Sequence, residues 1–206
     1  RQDRQEERRY YEQIIGDPDS DLKEMADARR FSAQNDEAAD FVLASLADDA
    51  NAVSQPGRFA SSVIYAGYLY FPQPNRQTYD ELISTGNLRL LRDENVKRAL
   101  AQYYALAEST RQWDSMVRMQ QSEYWSQIAG LLPRPTLRAV VRGVEPPLAG
   151  EEVKGAVAKA RSRPILANQL TAMAVHQEWL RRDSQRIGER AKKLQTMLRQ
   201  HVSEMH

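Results

Sequence analysis

Cysteine is missing from all 206 residues. That excludes a disulfide framework, a thiolate metal site and a cysteine nucleophile. Histidine is scarce, with three in the chain and two of them, His201 and His206, in the last six residues. Neither the two-histidine zinc pattern nor the Glu-x-x-His pattern of di-iron bundles occurs. No nucleophile elbow, Walker loop or dinucleotide fingerprint is present. Charge of one sign is not in excess, since 29 basic residues face 28 acidic ones. That balance argues against broad nucleic-acid binding, so no nucleic-acid partner is expected. No apolar run of about 18 residues occurs, so nothing in this stretch is expected to span a bilayer. No enzyme activity, cofactor or metal is expected from these residues.

What is present is a helical pattern. Hydrophobic residues make up 41% and charged residues 28%, enough for one sizeable core under a charged surface. The chain opens on Arg1 rather than Met, and a preceding signal or anchor is expected. Residues 1–15 are charged and helix-permissive, and Gly16-Asp17-Pro18-Asp19 reads as a break. Ser20 or Asp21 is placed to cap a helix over Asp21 to Val53. Asp17-Pro-Asp-Ser-Asp21 resembles the opening of a calcium loop. However, Leu22 stands where glycine is needed and Ala28 where a bidentate glutamate is needed.

After the turn Gln55-Pro56-Gly57, the segment Arg58 to Phe71 suits a helix by spacing and a strand by its aromatic and β-branched content. A helix is expected because its neighbours are helical. Its aromatic cluster, Tyr65, Tyr68, Tyr70 and Phe71, either packs in the core or lines a pocket for an apolar ligand. Thr78-Tyr-Asp-Glu81 has capping-box spacing, Gly86 is a left-handed stop, and Asp93 caps a long helix to about Ala129. The buried row of that helix is expected to be Ala99, Tyr103, Leu106, Thr110, Trp113, Val117, Gln120, Tyr124 and Ile128. Residues 130–163 hold most of the later prolines and a modest basic excess. They predict a cap of short helices over Thr136 to Arg142 and Glu151 to Arg161.

The clearest signal is the last helix, 164–205. Leu166, Leu170, Met173, Gln177, Leu180, Ser184, Ile187, Ala191, Leu194, Leu198, His201 and Met205 recur in alternating steps of four and three. A sustained period of 3.5 residues predicts a left-handed packed seam. About 40 residues span roughly 60 Å. The expected fold is a single all-α domain, an elongated antiparallel bundle with long coiled-coil-like helices and a short-helix cap. The last helix is expected to bury its seam against the long helix before the cap. His176 and Trp179, one turn apart, are expected to flank that seam as a packed or partly exposed pair. His201 falls on the seam, where a polar residue sets register.

The stretch Thr78-Tyr-Asp-Glu-Leu-Ile-Ser-Thr-Gly-Asn-Leu-Arg-Leu-Leu91, followed by Val96-Lys-Arg-Ala-Leu-Ala-Gln-Tyr-Tyr104, resembles a family of uncharacterised bacterial membrane-anchored proteins. Their common core looks like aromatic-x-Glu-Leu-x-Ser-Thr-Gly-x-Leu, then a helix ending in a Tyr-Tyr pair. The charged opening Arg1 to Tyr11 looks like the segment just after that family's single membrane helix. The resemblance implies one N-terminal anchor in the bacterial inner membrane and a helical domain on the periplasmic side. Arg4, Arg8 and Arg9 would follow the anchor closely and weigh against that outward orientation. The resemblance carries over no catalytic residues. Turn chemistry alone explains most of the motif. The remaining reading is a polar corner pocket of Tyr79, Asn87, Arg89, Tyr103 and Tyr104, which joins Tyr65 and Tyr68 as candidate ligand-binding residues. The expected function is a membrane-tethered interaction or sensory module whose partner is a protein or a small ligand. The alternatives are a small-ligand domain and a scaffold that self-associates as a homo-oligomer.

Overall fold

A computed structural model describes Gln2–Arg111 and Trp113–Glu204, with side chains from Gln5 onward. The seam position Met205 and the side chain of Arg4 lie outside the described residues. The helices are α1 (Gln2–Ala47), α2 (Asp49–Ser54), α3 (Pro56–Tyr65), α4 (Gln77–Ser84), α5 (Glu94–Thr110), α6 (Trp113–Ile128), α7 (Arg134–Val141), α8 (Gly150–Arg161) and α9 (Pro164–Glu204). A 3-10 turn covers Asn87–Leu90. No strand occurs among the described residues, and the fold is all-α with α1 and α9 packed antiparallel.

The α9 seam is present as its spacing predicts. Every step from Leu166 to Leu198 is buried, while His201 is half-buried. The expected mate is corrected: α9 packs antiparallel against α1, which carries a matching seam, rather than against one long helix before the cap. Glu7, Tyr11, Ile14, Pro18, Asp21, Met25, Ala28, Ser32, Asn35, Ala39 and Val42 are all buried in alternating fours and threes. Several of these residues are polar or small, which hides the stripe in the sequence. The expected break at Gly16–Asp19 is therefore corrected: α1 runs through it, with Pro18 inside the helix. Proline in a helix interior costs about 3 kcal/mol. Burial of Tyr11, Ile14 and Met25, and hydrogen bonds to Asp17 and Asp21, offset that cost. Ser20 and Asp21 are interior residues, not caps.

The chain gathers into two compact units. The first holds the described residues of Arg1–Arg29, Phe71–Asp114 and Arg182–His206. Its core joins Tyr11, Ile14 and Met25 of α1, Leu82 of α4, Leu91, Leu100 and Tyr103 near and in α5, and Ile187, Leu194 and Leu198 of α9. Asp93 caps α5 as expected, accepting from the Asn95 and Val96 amides. Buried Glu7 accepts from the Arg92 amide at 2.9 Å and fixes the turn that leads there. Gly86 takes φ +70°, the left-handed stop its position predicts.

Two expectations in this unit are corrected. The Thr78 capping box does not form, because α4 begins at Gln77, two residues before the start that box predicts, and the Asn75 side chain accepts from the Gln77 amide at 3.1 Å. The helix from Asp93 to Ala129 is not continuous, since α5 ends at Thr110 and α6 starts at Trp113. Ser109 and Thr110 return their hydroxyls to the carbonyls of Leu106 and Ala107, both at 2.7 Å. Such back-bonding competes with the regular ladder at a helix end. The buried row of α5 is also shifted, to Val96, Leu100, Tyr103, Ala107 and Thr110. Ala99 and Leu106 are only half-buried.

The second unit holds Arg30–Tyr70 and the described residues of Ser115–Arg181. Here α7 and α8 are the expected short helices, and they pack on α2 and α3. The expected helix Arg58 to Phe71 stops at Tyr65. Glycine is a poor helix former, and at Gly67 the backbone passes so close to the Tyr124 ring that a Cβ would overlap it. The backbone beyond the turn is held by side chains from the long helices. The Tyr68 carbonyl accepts from Asn35 Nδ2 at 2.9 Å and Gln177 Nε2 at 2.7 Å, and the Leu69 carbonyl accepts from Gln121 Nε2 at 2.6 Å. Buried carbonyls that leave a helix need such partners. The polar seam residues Asn35 and Gln177 thus serve this turn.

Candidate functional site

In the first unit, α1 presents two carboxylates one helical turn apart, and α5 presents two adjacent tyrosines. Tyr103 Oη donates to Asp21 Oδ2, and Tyr104 Oη donates to Asp17 Oδ2 at 3.3 Å. Asn75 donates its backbone amide to Asp21 Oδ1 and its side-chain amide to Asp17 Oδ1, both at 2.9 Å. Every carboxylate oxygen therefore has a donor, and both acids are buried. The Tyr79 ring stacks on Tyr104 at 4.2 Å, and the Arg76 guanidinium lies over the same ring at 5.9 Å. Arg76 in turn pairs with Asp80 at 3.0 Å and Glu108 at 2.5 Å.

Burial is the main cause of the shifts in this cluster. It pushes the Asp21 carboxyl up to about 6 against hydrogen bonds from Tyr103 and Asn75, and it raises Asp17 in the same sense. Burial and the nearby carboxylates also raise both tyrosine hydroxyls. Buried tyrosine hydroxyls need acceptors, and each aspartate here gains two donors. The cluster fastens the 75–78 segment to α1 and α5. No group of three metal-ligating side chains occurs among the described residues.

The proposed corner pocket is thus only partly assembled. Tyr79, Tyr103 and Tyr104 come together, but their polar atoms and faces are occupied as described. Asn87 donates to the Tyr10 hydroxyl at 2.7 Å, which anchors the 3-10 turn to α1. Arg89 is exposed on that turn. His201 Nδ1 lies 3.4 Å from Asp93 Oδ2, and its ring meets Tyr11 at 4.6 Å.

Tyr65 and Tyr68 belong to the second unit, in a set of aromatic rings centred on Tyr68. Tyr68 lies 6.0 Å from Tyr65, 6.3 Å from Phe31 and 5.7 Å from Trp125, and Phe31 lies 6.4 Å from Tyr70. These are edge-on or tilted contacts of the favourable range. The rings are not sealed into the core. Tyr65 is 39% exposed, Tyr70 49% and Trp125 36%. Beside them a groove of about 430 Å³ opens between α1 and α3, walled by Phe31, Ala38, Arg58, Ser61 and Tyr65. The Arg58 guanidinium sits 4.2 Å over the Phe41 ring, which holds its charge at the groove edge.

Phe31, Trp125 and Arg58 were not singled out in the sequence. They come from three helices, and no local spacing joins them. Elsewhere in this unit, His176 is half-buried, meets Trp179 at 5.2 Å and faces Gln120 across 3.4 Å, in keeping with the packed pair expected beside the seam. Compared with protein-family models, curated proteins and solved structures, the chain finds no match.

Proposed function

We propose that this chain is a membrane-tethered helical interaction module of the bacterial inner membrane, with its folded part on the periplasmic side, and that it engages a partner protein through the aromatic groove of the second unit. The observation that carries the reading is that groove, with its partly exposed ring cluster and the Arg58 charge at its edge. Tyrosine, tryptophan and arginine are the residues that dominate binding energy in protein interfaces. The buried titratable groups Asp17, Asp21, Tyr103 and Tyr104 are consumed in holding segments together, which favours binding over catalysis. No helix of the described residues is long and apolar enough to cross a membrane. The proposed tether is supported by the resemblance of Thr78–Leu91 and Val96–Tyr104 alone.

A photoreactive phenylalanine in place of Tyr65, introduced in living bacteria, tests the reading. A discrete adduct with one partner is expected, and it should disappear when Phe31→Ala or Arg58→Ala is added. The same bands from a photoreactive residue at exposed Val144, or no adduct in the membrane fraction, would overturn it. A groove of 430 Å³ also lies in the range of small-molecule pockets. A small-ligand role is favoured if purified protein melts higher with a metabolite and Arg58→Ala abolishes the effect.

A further inference from the structure

The first unit carries a second concavity, independent of the aromatic groove. It runs along the flank of the seam between α5 and α9 as two adjoining hollows of about 690 and 340 Å³ that share Gln102, Arg190 and Lys193. Flank positions of packed helices ordinarily set opposite charges against each other across the seam. Here the cations meet cations. Arg98 on α5 lines the same cleft as Arg190 and Lys193 on α9, with Arg186 one turn further along. Among the described residues, no carboxylate lies within ion-pair distance of Arg98, Arg190 or Lys193. The one acid lining the cleft, Glu189, accepts from Gln185 at 2.9 Å. Arg186 pairs with Asp183 at 3.4 Å, an exposed contact of little strength.

Four cations therefore face one carboxylate in a concave site of a chain whose net charge is only +1. Like charges at such close quarters repel, and an anion between them relieves that repulsion. From Arg186 to Lys193 the cations spread over roughly 10 Å of helix. That span exceeds a single phosphate and matches several. Arginine adds planar, bidentate recognition of phosphate oxygens.

We propose that the α5–α9 cleft binds a ligand carrying two or more phosphate groups, held by Arg98, Arg186, Arg190 and Lys193 with Gln102 as an uncharged donor. Clustered phosphates occur on soluble phosphorylated molecules and on anionic lipid headgroups. A recessed cleft suits the former, because a bilayer surface is met more readily by protruding side chains.

The test is titration calorimetry of the full chain with inorganic tripolyphosphate, alongside flotation with vesicles of phosphatidylcholine containing phosphatidic acid. Saturable one-to-one binding of tripolyphosphate is expected, weakening as salt rises. The double variant Arg190→Gln/Lys193→Gln should bind about tenfold more weakly per cation removed, since each supplies a charge-assisted contact. These side chains are exposed, so the variant should keep the parent's melting temperature and helical signal, which separates lost binding from lost folding. A control variant, Arg138→Gln/Arg142→Gln in the second unit, should bind as the parent does. Vesicle binding without tripolyphosphate binding, if lost in the same variant, assigns the site to lipid phosphate and overturns the soluble ligand. No binding of either probe, or equal binding by the double variant, overturns the site itself.

Discussion

Replacing Asp21 by asparagine should flatten the pH dependence of stability between about pH 4 and pH 6. Asp21 is 1% exposed, and burial is the chief reason its carboxyl is pushed up to about 6 from the ordinary 3.8, with the charges of Asp17 and Glu24 adding to it. The folded protein therefore holds this proton to higher pH than the unfolded chain. The sign follows directly. The stabilisation is complete below about pH 4 and is lost as pH rises through about 6. A rise from 3.8 to about 6 corresponds to about 3 kcal/mol between the two limits. Asparagine has no such proton to lose. It keeps an acceptor for the Asn75 amide but turns an amide toward Tyr103, at a cost of about 1 kcal/mol at every pH. Urea unfolding followed by circular dichroism at pH 4, 5, 6 and 7 gives the comparison. Moving from pH 4 to pH 7, the stability difference should shift in favour of Asp21→Asn by about 2.5 kcal/mol. A difference constant to within about 0.5 kcal/mol would refute the argument that burial governs this carboxyl.

Other outcomes follow from packing. Leu170→Ala and Leu194→Ala, both in the α9 seam, should each lower stability by about 2–5 kcal/mol in urea unfolding, whereas exposed Arg182→Ala should change it by less than about 0.5 kcal/mol. Gly67→Ala should cost about 1–3 kcal/mol because its Cβ overlaps the Tyr124 ring, and Tyr124→Ala in the same chain should recover part of the Gly67→Ala penalty. Gly86→Ala should lower the melting temperature by an amount equivalent to about 1 kcal/mol, from strain at φ +70° rather than from any clash.

Legibility in the sequence tracked how apolar each seam is. The α9 seam is mostly leucine, and its spacing predicts its burial almost residue by residue. The α1 seam has the same period but substitutes Glu7, Pro18, Asp21, Ser32 and Asn35 for apolar residues. Glu7, Asp21, Ser32 and Asn35 are buried to hydrogen-bond other segments, a purpose that exists only once the fold does. Pro18 and Gly16 read locally as a stop because local propensity favours one, and tertiary packing overrides it. The stop at Gly86 and the cap at Asp93 were legible because their chemistry is complete within a few residues. The turn at Gly67 was not, because it depends on a tyrosine 57 positions away. The candidate sites divide in the same way. Tyr65 and Tyr68 stand out as a local aromatic cluster, whereas Phe31, Trp125 and Arg58 reach it from other helices. The Tyr103–Tyr104 pair is visible as a motif, but of its acceptors Asp17 sits in a stretch that reads as a helix break and Asp21 reads as the cap after it.

The all-α fold rests on the antiparallel pairing of α1 with α9, and the absence of cysteine from the 206 residues makes that pairing directly measurable. Within the first unit, Arg199 Nη2 lies 3.1 Å from Asp19 Oδ2. The double variant Asp19→Cys/Arg199→Cys, treated with a short thiol-to-thiol crosslinker, should form an intramolecular bridge in high yield. Asp19→Cys/Arg182→Cys, displaced by roughly 25 Å along α9, should not bridge. Equal bridging of both pairs, or bridging of the second alone, would contradict the antiparallel register.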